Sequence, residues 1–338
     1  MSTPEHPLLP EKTFDAFRSY QQTQALKGAI ELDLFTAIDE GHDTVSSLAS
    51  HCRASPRGIR ILCDFLVITE FLTKEEASYA LTRESAVFLS RRSPDYLGMA
   101  SRFLTSSTLM SFFSDVAGAV RKGGTVGSGK GMVIEDNPLW VDFARGMSPL
   151  MAPAAEFIAQ LVGASSGSSW KILDLAAGHG MFGTTIARQN PNATVVALDW
   201  SSVLSVAQEN SHRAGVADRY RLLPGNAFET DFGEGYDLIL ITNFFHHFDE
   251  DTCVLLMGKV HKALGEKGRA VTLEYVPNED RISPPIPAAF SLTMLVSTPS
   301  GDAYTFKQFE EMFRRAGFAQ TDLHPIPQGP QQVLISYK

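Results

Sequence analysis

A chain of 338 residues, 44% of them hydrophobic and 20% charged, is long enough for two domains with sizeable cores. Its 38 acidic and 29 basic side chains leave a net charge of -9, which opposes binding to phosphate backbones or anionic lipid surfaces, so neither nucleic acid nor membrane is expected as a partner. Cys52, Cys63 and Cys253 are scattered without a Cys-x-x-Cys pair, the opening "MSTPEHPLLPEKTF" lacks the basic and apolar regions of a signal peptide, and no run of 18 apolar residues occurs. A cytoplasmic protein without disulfides or a thiolate zinc site is expected.

From Lys12 to Ile38, Phe14, Phe17, Ala25, Ile30, Leu34 and Ile38 recur near helical spacing, and Gly41 follows as a stop signal. One or two helices are predicted there. "TVSSLASHCRASPRGIRILCDFLVITEFL" reads as a short helix from Val45, a turn near Ala54, and a second helix with Ser55 as N-cap and Pro56 in the first helical position. "FLTKEEASYALT" then gives two short extended pieces, Phe71 to Thr73 and Tyr79 to Thr82, so the module has the outline of a winged helix. Such a module can read DNA, here through Arg57 and Arg60, or it can pack and dimerise. Asp64 and Glu70 balance those arginines and leave a thin footprint for DNA, and the enzyme-like remainder of the chain favours packing and dimerisation.

A further helix is expected from Ser93-Pro94 to about Lys122. "GTVGSGKG", Gly124 to Gly131, is one residue short of a phosphate-binding loop, but it neither follows a buried strand nor opens a helix, and it reads as a connector.

From Trp170 onward, β-rich runs ("WKILDLA", "ATVVALD", "RYRLLPG", "YDLILIT", "RAVTLEY", "QQVLISY") alternate with helical segments near Gly183–Gln189, Val203–Ala214, Thr252–Leu264 and Thr305–Ala316. This alternation predicts an α/β, Rossmann-like doubly wound sheet with parallel strands. The expected domains are 1–92 (winged helix), 93–150 (connecting helices and glycine-rich linker) and 151–338 (the α/β domain).

The first strand of that sheet runs into "LDLAAGHGMFG", which puts Asp174, Ala176, Gly178 and Gly180 at a strand-to-helix turn, where such sheets bind ligands. The next strand ends at Asp199, 25 residues beyond Asp174, where a carboxylate can accept hydrogen bonds from both ribose hydroxyls. Together they point to a nucleoside-bearing cofactor. Gly178, Gly180 and Gly183 spell G-x-G-x-x-G late relative to the strand, which leaves a dinucleotide as the lesser option beside S-adenosylmethionine.

With these motifs in place, the chain resembles the S-adenosylmethionine-dependent O-methyltransferases that carry an N-terminal winged-helix dimerisation domain, of the plant phenolic and bacterial natural-product type. The resemblance implies S-adenosyl-L-methionine as methyl donor, S-adenosyl-L-homocysteine as product, no metal, a small aromatic or polyketide-like acceptor, and a homodimer formed through the N-terminal domain. "LDLAAGHG" resembles the family's cofactor motif, with Ala176 and Ala177 where glycines are common. "ALDW" resembles its ribose motif, with Trp200 beside the adenine. "GNAF" stands where the family has Gly-Asp-x-Phe, which brings Asn226, Ala227 and Phe228 to the adenine region, Asn226 replacing an aspartate. Asn243 joins this set from the turn after the fourth strand.

"HHFDED" then matches the family's base motif from His246. A phenol with a pKa of about 10 is a poor nucleophile at neutral pH, and an imidazole can take its proton as oxygen attacks the sulfonium methyl. Glu274 in "VTLEY" stands where the family has a glutamate orienting the base. A second family glutamate falls on Ala303, beside Asp302. Phe143, Met147 and Met294 are carried over to the acceptor pocket, where aromatic faces and thioethers suit a flat apolar molecule.

Simpler roles compete with these assignments. His246 and His247, at a strand end, would point to opposite sides, which disfavours joint metal ligation, and Asp249 is the better cap for the helix that follows. Met147 and Met294 would be ordinary core residues in most sequences. A DNA-binding ligand sensor, or a methyltransferase fold with non-methylating chemistry, remain as alternative functions.

Overall fold

The computed structural model describes residues 9–127, 129–327 and 329–338. Contacts divide the chain into two compact units, one ending at Ser106 and the other running from Ser107 to Lys338.

The first unit contains helices Glu11–Glu31, Leu34–Asp39, Val45–His51 and Pro56–Ile68. An antiparallel hairpin of β1 (Leu72–Glu75) and β2 (Ser78–Leu81) follows, and then helix Arg83–Phe88. Local chemistry sets these boundaries. Asp33, at φ 55°, separates the first two helices. Thr44 and Ser55 cap the next two by accepting from the N–H groups of Ser47 and Gly58. Leu34, Phe35, Leu48, Ile59, Cys63, Leu66, Leu72 and Tyr79 form the core of this unit. Asp64 accepts from Arg60, Lys74 and Tyr79, so the helix meant as a DNA reader has one of its two arginines engaged on its own surface.

The single helix expected from Ser93 to Lys122 is broken into helices Ala100–Leu104 and Ser107–Phe112, a 3-10 turn Phe113–Asp115, and helix Val116–Lys122. Hydroxyl groups explain the breaks. Ser101, Thr105, Ser111 and Ser114 each donate to a carbonyl three or four residues back, and Asp115 accepts from Gly118 N–H to start a new helix. The glycine-rich connector is packed: Gly124 and Gly131 sit directly against the carbonyls of Pro299 and Ser297, and only a 3-10 turn, Gly131–Val133, follows it.

The second unit is built on a seven-stranded sheet. Its strands are β3 (Lys171–Leu175), β4 (Thr194–Asp199), β5 (Tyr220–Pro224), β6 (Tyr236–Thr242), β7 (Leu264–Glu274), β8 (Gln320–Pro325) and β9 (Gln332–Tyr337), in the order β5-β4-β3-β6-β7-β9-β8. The first five are parallel to one another. The sheet is therefore mostly rather than wholly parallel: β9 runs antiparallel to both β7 and β8, because β8 and β9 form a hairpin at the edge. Helices Leu139–Leu161, Met181–Gln189 and Ser201–Arg213 cover one face, and Glu250–Ala263 and Phe306–Arg315 the other. Strand order reverses at β3, and the crevice at the carboxyl ends of β3, β4, β6 and β7 is where an open sheet of this kind binds ligands.

Candidate active site

At the end of β3, Ala176 takes a left-handed φ of 54°, a conformation costing about 1–2 kcal/mol for a residue with a Cβ. The turn brings Gly178 N–H to Asp199 Oδ2 at 2.7 Å, while Asp199 Oδ1 accepts from Trp200 N–H at 2.7 Å. Burial pushes the Asp199 carboxyl up to about 6 against the pull of these two N–H groups. A Cβ on Gly180 would lie 2.5 Å from the Tyr220 hydroxyl and 2.8 Å from Ala207 Cβ, so helix Met181–Gln189 can start here only from glycine. Asp174 lies beneath that helix, fully buried, with Oδ2 accepting from Gly183 N–H at 3.0 Å and Oδ1 without a partner. Burial raises its carboxyl to about 7. His179, also buried, is held down to about 4 and is neutral, its Nδ1 accepting from Met181 N–H.

At the ends of β6 and β7 the arrangement is tighter. β6 stops at Thr242, Asn243 turns through φ 55°, and Phe245–His247 form a 3-10 turn. Glu274, the last residue of β7 and fully buried, accepts from Phe244 and Phe245 N–H through Oε1 at 2.9 and 2.8 Å. Its other oxygen lies 2.5 Å from His246 Nδ1. Gly301, in the loop after helix Pro285–Ser297, packs so closely on the His246 carbonyl that no Cβ would fit.

His246 and His247 do not point to opposite sides as expected. Their rings lie 4.2 Å apart at 40°, because the residues belong to the 3-10 turn and not to a strand end. Nδ1 of His247 lies 3.1 Å from the Phe244 carbonyl, and burial together with the neighbouring His246 drives its pKa well below the ordinary histidine value, so His247 is neutral. Asp249 caps the next helix by accepting from Thr252 N–H.

Rings surround this pair. Phe290 meets His246 at 4.9 Å and stacks on Tyr275 at 4.3 Å, and Trp140 meets His247 at 5.3 Å. Phe143 lies against Trp140, and Phe228 against Phe244 and Phe248. Trp140, Tyr275 and Phe290 were missed in the sequence, where nothing but their aromatic character marked them. Met147 is half-buried on the same helix as Phe143, and Met294 is buried with its carbonyl holding Thr298. Trp200 packs with Trp140 and Val141 over Ala144, Val203 and Val206. Asn226 turns Oδ1 onto Phe228 N–H at 3.0 Å, Ala227 is buried in the core, and the side-chain amide of Asn243 is held between Met151 Sδ and Gln331. A cavity of about 560 Å³ opens beside the start of this helix, lined by Phe112, Val126, Ile134, Glu135, Asn137 and Pro138 among others.

Two family models match this chain: an O-methyltransferase domain over residues 132–319 and an O-methyltransferase dimerisation domain over 14–91. A solved structure from Nostoc punctiforme, provisionally described as an O-methyltransferase, is 48% identical and superposes with a TM-score of 0.94 over 98% of this chain and 100% of its own. Human N-acetylserotonin methyltransferase, in complex with SAM, is 20% identical with a TM-score of 0.84 over 100% of this chain and 99% of its own. The 3-hydroxy-5-methyl-1-naphthoate 3-O-methyltransferase of Streptomyces sahachiroi is 24% identical over 94% of this chain and 92% of its own length. The chain belongs to the O-methyltransferase domain family, and it is an S-adenosylmethionine-dependent O-methyltransferase.

Proposed function

We propose that this enzyme methylates a hydroxyl of a small aromatic or polyketide-like natural product, with His246 as general base and Glu274 as the carboxylate that orients it. The 2.5 Å contact between His246 Nδ1 and Glu274 Oε2 carries this reading. With two backbone N–H groups already on Oε1, the carboxylate is fixed, and it selects the tautomer with the proton on Nδ1. Nε2 is then left with a lone pair for the acceptor's hydroxyl proton, and the ring's loss of freedom is met in folding rather than at the reaction.

S-adenosylmethionine, when bound, supplies an electrophilic methyl on a sulfonium sulfur and leaves as S-adenosylhomocysteine. The chain suits it: Asp199 faces the turn with acceptor capacity beyond its two backbone bonds, and the unpartnered Oδ1 of buried Asp174 is a place for a cationic donor such as the amino-acid ammonium. Ala176, Gly178 and Gly180 shape the turn, and Trp200, Asn226, Ala227, Phe228 and Asn243 complete the cofactor side. Phe143, Met147 and Met294, joined by Trp140, Tyr275 and Phe290, wall the acceptor side.

At the position of the second family glutamate, Ala303 is fully buried and its neighbour Asp302 pairs with Arg281. Glu274 therefore carries the orientation of His246. The working division is 1–92 for dimerisation, 93–150 as connector and 151–338 for the cofactor, with Phe14, Phe17 and Tyr20, exposed on helix Glu11–Glu31, pairing with a second copy. Light scattering of the purified chain would give twice the chain mass; a monomer at micromolar concentration contradicts the pairing.

The test of the base is His246→Ala assayed against a panel of phenols, enols and carboxylic acids by product mass. Turnover should fall about 100- to 10,000-fold with S-adenosylhomocysteine affinity, measured calorimetrically, unchanged. Full activity in the variant would remove His246 as the base.

A further inference from the structure

We propose that the N-terminal unit carries a binding site for a divalent transition-metal ion, zinc above all, formed by Glu40, His42 and His51. These three side chains each place a ligating atom within 4.8 Å of the other two, the one such group of three among the described residues. They come from either end of one short structure: Glu40 and His42 from the turn after helix Leu34–Asp39, and His51 from the last position of helix Val45–His51. The two imidazoles face each other with centroids 4.4 Å apart at 44°.

Zinc binds imidazole nitrogen at about 2.0–2.1 Å in a tetrahedron, which asks for donor atoms about 3.4 Å from one another. Glu40 and His51 are exposed and can close the difference by side-chain rotation alone. His42 is half-buried, and its Nδ1 lies 2.8 Å from Ser47 Oγ, so one ring of the site is already oriented by a hydroxyl partner. That is how outer partners of metal-binding histidines work. Two nitrogens and one carboxylate suit zinc and its transition-metal neighbours and serve calcium or magnesium poorly, since those ions take oxygen donors. Three protein ligands leave one coordination position for water. The ion would join the turn at Glu40–His42 to the end of the following helix, bracing the dimerisation unit without entering the methyl-transfer chemistry.

The full-length protein, stripped with chelator, would be titrated with zinc chloride by calorimetry and its metal content measured after dialysis. One zinc per chain is expected in the unaltered protein, and none at this site in His42→Gln/His51→Gln. Ser47→Ala should bind about tenfold more weakly, and methyl transfer in chelator should be the same in all of them. Zinc bound equally by the double variant, or no zinc bound by the unaltered chain, overturns the proposal. So does magnesium binding as well as zinc, which would mark a simple carboxylate contact. If the double variant does not fold, the exposed substitution Glu40→Gln takes its place, and there an unchanged zinc affinity overturns the proposal.

Discussion

Two buried carboxylates stand at strand ends on the same edge of the sheet, and they are left in opposite conditions. Glu274 spends both oxygens inside the protein, on two N–H groups and an imidazole. Asp174 spends one on Gly183 and leaves the other without a partner, which the protein tolerates by raising its pKa to about 7. An unsatisfied buried oxygen is costly. The turn after β6 is satisfied from within the chain, and the turn after β3 is the one where we propose that a ligand supplies the remaining donor.

The comparison breaks most visibly at Glu274. Glu274→Gln keeps the shape but can no longer select the tautomer of His246, and kcat should drop about 100- to 10,000-fold while S-adenosylhomocysteine affinity stays put. Adding His246→Ala to it should cost little more, because the two act as one unit; additive losses would separate them. On the other turn the pattern should invert. Asp199→Ala should weaken calorimetric S-adenosylhomocysteine binding about 10- to 100-fold, with a smaller change in kcat at saturating cofactor.

Asp174 gives a pH test with two signs. Its folded pKa, about 7, lies above the ordinary aspartate value of about 3.9 because burial disfavours the charge. Proton uptake therefore favours the folded state: this group's contribution to ligand-free stability rises as pH falls from about 7 towards about 4 and is constant below. Cofactor affinity should move the other way, since the protonated acid is a poor partner for an ammonium, and protonation of Asp199 near pH 6 reinforces the loss. Melting curves and titrations of the unaltered chain and Asp174→Asn between pH 5 and 8 would show both trends in the former and neither from this position in the latter. Parallel trends would contradict the proposed role of Asp174 in cofactor binding. The smallest effect is at Ala176: glycine relieves about 1–2 kcal/mol of left-handed strain but adds about 0.5–1 kcal/mol of chain entropy. Ala176→Gly should raise Tm by about 2 °C, and a fall would mean the strain is not there.

The strand-and-helix alternation from Trp170 onward was readable because β3, β4 and β6 are apolar runs buried along almost their whole length. β8, "QTDLHP", was not, since an edge strand needs no such run. His246 and Glu274 could be singled out because one follows β6 by four residues and the other is the last residue of β7. The ring set around them could not: Trp140 lies more than a hundred residues before Tyr275 and Phe290, and only the folded chain brings them together. The error over His247 has the same root. Alternation applies while a strand lasts, and this one stops at Thr242, four residues before the histidines.

Trp140 has a use of its own. An indole 5.3 Å from a neutral imidazole, and next to Phe143, is a built-in optical reporter. With only three tryptophans in the chain, replacing Trp170 and Trp200 by phenylalanine would leave one emitter beside His247, from which the arrival of a colourless acceptor could be followed by fluorescence in real time.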